Sequence, residues 1–114
     1  MAVIAATPDP PYVAVIFTSV RTTEDDAGYA EMADRMEALA ATQPGYLGIE
    51  AARDPVDRVG VTVSYWATEE HGRAWKQVAE HLGAQEIGRE RWYASYRVRV
   101  AVVGREYGWA SGSD

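Results

Sequence analysis

Gly60-Val-Thr-Val-Ser-Tyr-Trp66-Ala-Thr-Glu-Glu-His-Gly-Arg-Ala-Trp75 runs from a strand pattern straight into a helix start. From Val61 to Trp66 the side chains alternate, with Val61, Val63 and Tyr65 on one face and Thr62, Ser64 and Trp66 on the other. Thr68 is a good N-cap. Glu69 and Glu70 place negative charge in the first helical turn, where the backbone dipole favours it. Trp66 is thus held at a strand end and Trp75 on a helix, two amphipathic rings beside a place where a small-molecule pocket can form.

Outward from this junction the pattern repeats. Tyr12 to Arg21 is rich in β-branched and aromatic residues and reads as a first strand. Over residues 26–43, Tyr29, Met32, Ala33, Met36, Leu39 and Ala40 recur at helical spacing, and Pro44-Gly45 stops that helix. Tyr46 to Arg53 is a second strand, and Asp54-Pro55-Val56-Asp57-Arg58 is a turn. The second helix carries Trp75, Val78, Ala79 and Leu82 as its apolar stripe, and Gly83 and Gly88 predict a break or a short extra helix within 83–92. Tyr96 to Val103 alternates clearly, with Tyr96, Val98, Val100 and Val102 opposite Arg97, Arg99, Ala101 and Val103. Residues 1–10 read as a loose arm, 11–108 as one domain and 109–114 as a flexible tail.

Two βαβ halves in this span predict an α+β ferredoxin-like sandwich, a four-stranded antiparallel sheet with both helices on one face. The other face would be bare, and the Tyr12–Phe17 stretch is apolar on both sides. Monomers rarely expose such a patch, so a homodimer packed sheet to sheet is expected.

Composition narrows the function. The 114 residues carry a formal charge of −6, which disfavours nucleic acid and anionic membrane surfaces as partners. No apolar run approaches the roughly 20 residues needed to span a bilayer, and no signal peptide is visible, so the cytoplasm is the expected location. Cysteine is absent, removing disulfides, thiol catalysis and thiolate metal sites. Four Trp and seven Tyr stand against one Phe, a bias toward rings that bury apolar area and still hydrogen-bond.

Candidate site residues follow from placement. Thr62 and Ser64 share the Trp66 face, and hydroxyls under helices need partners that a ligand or water would supply. Trp75 is a core anchor or a pocket wall. His81, near the helix edge shared with Gln85, is a candidate acid or base. Arg97 and Arg99 either salt-bridge to acids such as Glu50 or steady an anionic substrate. His71 and His81, ten residues apart on one helix, are separated by about 15 Å, too far to share a metal.

The segments Gln43-Pro-Gly-Tyr-Leu-Gly-Ile-Glu50, Ser64-Tyr-Trp-Ala-Thr-Glu-Glu70 and Ala74-Trp75 resemble the antibiotic biosynthesis monooxygenase superfamily, a group of dimeric α/β barrels. Residues 79–85 and 88–93 are similar to an uncharacterised bacterial branch of it. The resemblance implies a cofactor-independent monooxygenase acting with O₂ on a small aromatic or polyphenolic, polyketide-like substrate. Its alternative is a non-catalytic small-ligand or haem-binding barrel. Trp66 matches the Trp of quinone-forming members, but Thr62 stands where their Asn would lie and Gly72 where their Tyr would lie. Trp75 matches the Trp of haem-degrading members, whose histidine ligand falls here on Gln85. The implied site is Trp66 and His81 as catalytic residues, with Thr62, Ser64, Trp75, Gln85 and Arg97 binding substrate and no metal.

Overall fold

The structure is a computed structural model that describes residues 4–81 and 87–112. The chain forms β1 (Tyr12–Arg21), α1 (Asp26–Ala40), β2 (Tyr46–Arg53), β3 (Val59–Trp66), α2 (Glu69–His81), a π-helical turn (Gly88–Trp92) and β4 (Tyr93–Val103). All four strands pair antiparallel in the order β2-β3-β1-β4, the α+β ferredoxin-like arrangement. Register opposite Val13, Val15 and Phe17 places Trp66, Ser64 and Thr62 of β3, and Val102, Val100 and Val98 of β4, on the helix side. Gln85 and Leu82 lie outside the described residues.

Local chemistry explains the ends. Asp25 caps α1 by accepting from the Gly28 amide at 3.1 Å. The helix stops at Ala40, short of the 26–43 read from periodicity, because Thr42 and Gln43 donate to Leu39 and Ala40 and tighten the last turn. Gly45 then turns the chain at φ 80°, and a Cβ there would lie 2.2 Å from Cγ of His71. Asp54 accepts from the amides of Val56 and Asp57, closing the turn into β3. β4 begins at Tyr93, three residues before its alternation does, because a register shift at Val20/Arg21 lets Tyr93 pair with Arg21.

The face away from the helices carries Tyr12, Ala14, Ile16, Thr18 and Val20 of β1 beside Tyr65, Val63, Val61 and Val59 of β3. Val20, Val59 and Val61 are exposed there. The arm read as loose lies on one end of this face: the Ala5 amide donates to Glu50 at 2.8 Å and Thr7 to Glu106 at 2.7 Å. Tyr12 donates to Glu106 at 2.6 Å and Tyr65 to Glu50 at 2.7 Å, with the two rings edge to face.

These bonds set a pH window. Burial, then the Glu50 bond, pushes the Tyr65 hydroxyl up to about 12, and its bond to Glu106 raises Tyr12. A raised phenol contributes stability that is complete below pH 10 and lost as pH rises toward 12. Glu106 is lowered by the Tyr12 and Thr7 bonds, so its contribution is present above 4.5 and lost as pH falls through its folded value. Urea midpoints measured across pH should therefore form a plateau that drops first on the alkaline side at pH 10–12. Replacing Tyr65 by Phe should reduce that drop, and an unchanged alkaline limb would refute the assignment.

Candidate active site

Between the sheet and the helices lies a cavity of about 730 Å³. Its floor is Val15, Phe17, Thr62 and Ser64, and its roof is Met32, Met36, Trp75 and Ala79. This volume is in the range of small-molecule sites, roughly 300–1,000 Å³.

At one end the tryptophans stack. Trp66 is 0% exposed, with Trp75 parallel to it at 5.8 Å and Tyr46 edge-on at 5.8 Å. Its Nε1 donates to Ser64 Oγ at 2.9 Å. The indole N–H is therefore already engaged, and Trp66 lies behind the wall that Ser64 and Trp75 form. Its N–H orients the Ser64 hydroxyl and its ring backs that of Trp75, so the expectation that Trp66 itself lines the pocket is corrected. Gly72 lets α2 approach the sheet: a Cβ there would lie 3.3 Å from Val15 and 3.9 Å from Trp66. A side chain at this position would press its Cβ on the Val15 methyl, and the glycine avoids that contact.

The other end is built from tyrosine and arginine. Register opposite Ser19 and Arg21 puts Tyr96 about 20 Å and Tyr93 about 26 Å along β1 from Trp66, which lies opposite Val13. Tyr29 of α1 is edge-on to Trp92 and to Tyr93, both at 5.9 Å, and Tyr96 stacks on Phe17 at 5.2 Å. Arg53 Nε donates to the Tyr29 hydroxyl at 3.0 Å, and Arg89 Nη1 to that of Tyr96 at 2.9 Å. Burial, with the Tyr29 hydroxyl beside it, holds the Tyr93 phenol well above the ordinary range, while Arg53 and Arg21 pull the other way.

Of the residues expected from sequence, Thr62, Ser64 and Trp75 meet on the wall. Arg97 also borders the cavity, but its register opposite Thr18 belongs to the other face of the sheet. Glu50, offered as its partner, is taken by Tyr65 and Ala5. His81 is exposed at the end of α2 and is not on the wall, because the edge it occupies turns to solvent there. A base must come within hydrogen-bond reach of the proton it takes, and this position does not offer that. His71 bonds to Thr68 at 2.9 Å and packs on Gly45. No cluster of three metal-ligating side chains occurs among the described residues.

Sequence reasoning passed over Tyr29, Arg53, Arg89, Trp92, Tyr93 and Tyr96. Tyr29 and Tyr96 had a signal, since each sits on an apolar stripe facing the core. The arginines had none, being brought in by the turn ends of β2 and the π-helical segment.

The family model described as antibiotic biosynthesis monooxygenase matches residues 11–87. An uncharacterised Bacillus subtilis protein, YqjZ, is 52% identical over 103 residues, covering 90% of this chain and 89% of its own. SnoaB from Streptomyces nogalater, described as a cofactor-independent oxygenase, superposes with a TM-score of 0.70 at 16% identity, over 86% of this chain and 97% of its own. A protein of unknown function from Nitrosomonas europaea, NE2512, gives 0.64 at 12% identity, over 91% and 100%. The two structures share the fold. With the family match spanning most of the domain, the chain belongs to the antibiotic biosynthesis monooxygenase family.

Proposed function

We propose that this protein is a cofactor-independent monooxygenase that oxidises a small aromatic or polyphenolic, polyketide-like substrate with O₂. The observation that carries the reading is the cavity itself, mostly apolar and aromatic, with Thr62, Ser64 and Trp75 together on its wall. In such a reaction the substrate is the reductant. A ring CH₂ flanked by phenols becomes C=O: one oxygen atom stays in the product, the other leaves as water with the two hydrogens, and the substrate supplies all four electrons. The protein's part is to hold the substrate, favour its phenolate and exclude water. Trp75 stacks on the ring, Ser64 and Thr62 hold its oxygens, and Trp66 positions Ser64. The Ser64 and Thr62 hydroxyls stabilise the phenolate they hold, and the proton it gives up ends on the oxygen atom that leaves as water.

The working unit in this reading is a cytoplasmic homodimer. The open sheet face and the exposed Val100, Val102, Tyr107 and Trp109 give a second copy apolar area to cover. No helix among the described residues is long and apolar enough to cross a membrane. Haem, the alternative occupant, meets no histidine among the described wall residues.

The test is turnover of hydroxylated anthrones with and without oxygen. Quinone should form only aerobically and without added cofactor. Trp75→Ala should lower kcat/KM about a hundredfold, and His81→Gln should leave it unchanged. The same sample should sediment at twice the chain mass. Binding with no oxygen-dependent product would instead point to a non-catalytic ligand-binding barrel.

A further inference from the structure

Two guanidinium groups sit on one buried phenol at the end of the cavity remote from Trp66. Arg21 Cζ lies 4.6 Å from the Tyr29 ring centroid and Arg53 Cζ lies 5.3 Å from it. Arg21 is mostly buried and Arg53 is exposed, so two cations share one ring at the cavity mouth and raise the positive potential there, which favours an anion. The chain offers little. Among the described residues Arg53 meets no carboxylate, and Arg21 has only Asp26 at 3.7 Å, which Arg58 also engages. Arg21 Nε is buried with no hydrogen-bond partner, behind the cavity wall rather than on it, so it adds to the positive potential of this corner without touching a ligand. Acids are not scarce in a chain of charge −6, yet none neutralises this corner fully. Glu69 and Glu80 on the cavity wall are paired with Arg73 and Lys76 instead.

The hydroxyls point to the same ligand. Tyr29 and Tyr96 each accept a guanidinium N–H, which polarises the oxygen and makes the hydroxyl's own proton a better donor. Tyr93 lies between them, its ring 5.9 Å from Tyr29 and 5.6 Å from Tyr96. Tyr29 and Tyr93 bond to each other, so two phenol protons and the Arg53 fork remain for a ligand at this end, on a wall where Arg53, Arg73, Lys76, Arg89 and Arg97 outnumber Glu37, Glu69 and Glu80.

We propose that this end is a carboxylate subsite, so that the substrate is an aromatic acid. Its fused rings lie along Phe17 and Trp75, and its carboxylate is received by Arg53 with the hydroxyls of Tyr96 and of one of the Tyr29–Tyr93 pair. The inference rests on the cavity being a substrate pocket, and it adds the class of substrate.

Calorimetric titration under argon decides it, using 1-hydroxy-2-naphthoate and its primary amide as probes. The acid should bind at least about tenfold more tightly than the amide, as expected for one charge-assisted contact. Added salt should narrow the difference. Arg53→Gln should bring the acid down to the affinity of the amide and leave the amide unchanged. Equal affinities on the native protein, no binding of either probe, or an equal loss for both in Arg53→Gln would each overturn the proposal. The native comparison decides the matter even if the variant does not fold. Binding under argon is blind to oxygen chemistry. Acid-selective binding without turnover would sink the monooxygenase reading alone, whereas turnover of neutral phenols with no preference for acids would sink this one alone.

Discussion

Replacing Trp66 by alanine is expected to cost about 3–5 kcal/mol of stability, the range for truncating a buried tryptophan. A domain of this size has a net stability of about 5–15 kcal/mol, so one substitution removes much of it. The reason lies in the side chain's position at the meeting of three elements. Its ring carries Tyr46 from β2 and Trp75 from α2, and Gly72 brings the helix backbone down onto it. Alanine would leave a void that β3 and α2 cannot close without giving up the Trp75 stack. Trp66→Phe keeps one six-membered ring but loses the pyrrole part of the indole and its N–H to Ser64, a loss of about 2–3 kcal/mol. Urea denaturation should rank native, Phe and Ala in that order. An alanine variant as stable as the native chain would show that the tryptophan is not the keystone of this corner.

Tyr29→Ala is the second large effect, again about 3–5 kcal/mol by analogy with other buried rings. Truncation removes the surface on which Arg21 and Arg53 rest, along with the edges that meet Trp92 and Tyr93. Two guanidiniums are then left near each other with no ring between them and a hydroxyl acceptor lost. Their repulsion is screened by salt, so Tyr29→Ala should regain part of its stability in added sodium chloride, beyond any gain of the native chain. Tyr29→Phe should cost about 1 kcal/mol, the value of the Arg53 hydrogen bond. Denaturation at low and high salt checks both. Identical salt responses in native and alanine chains would mean that the arginines do not interact through this ring.

How much of this was legible in the sequence depended on where the signal lay. β1 and β2 have the limits read from sequence, Tyr12–Arg21 and Tyr46–Arg53: β1 is a run rich in β-branched and aromatic residues, and β2 is bounded by Pro44-Gly45 and the Asp54-Pro55 turn. The Val61–Trp66 alternation and the Thr68 cap likewise correspond to β3 and to the start of α2. The start of β4 was hidden, since Tyr93-Ala-Ser-Tyr96 lacks alternation and is held in the sheet by a bulge. Of the cavity, the Thr62, Ser64 and Trp75 wall could be foreseen from one continuous segment. Its arginine and tyrosine end could not, because Arg53, Arg89, Tyr29 and Tyr96 come from four different elements.

Sequence alone settled the family and the α+β sandwich, because strand and helix periods and their junctions are short-range properties written in consecutive residues. It also put Trp66 at a strand end and Trp75 on the helix that follows, while their stacking is a result of the tertiary structure. The tertiary structure alone decided that Trp66 spends its N–H on Ser64, that His81 turns to solvent, and that Arg21 and Arg53 converge on Tyr29. Those outcomes depend on strand register and on how closely Gly72 lets α2 approach the sheet. Both are set by packing between residues far apart in the chain, and no local pattern encodes them.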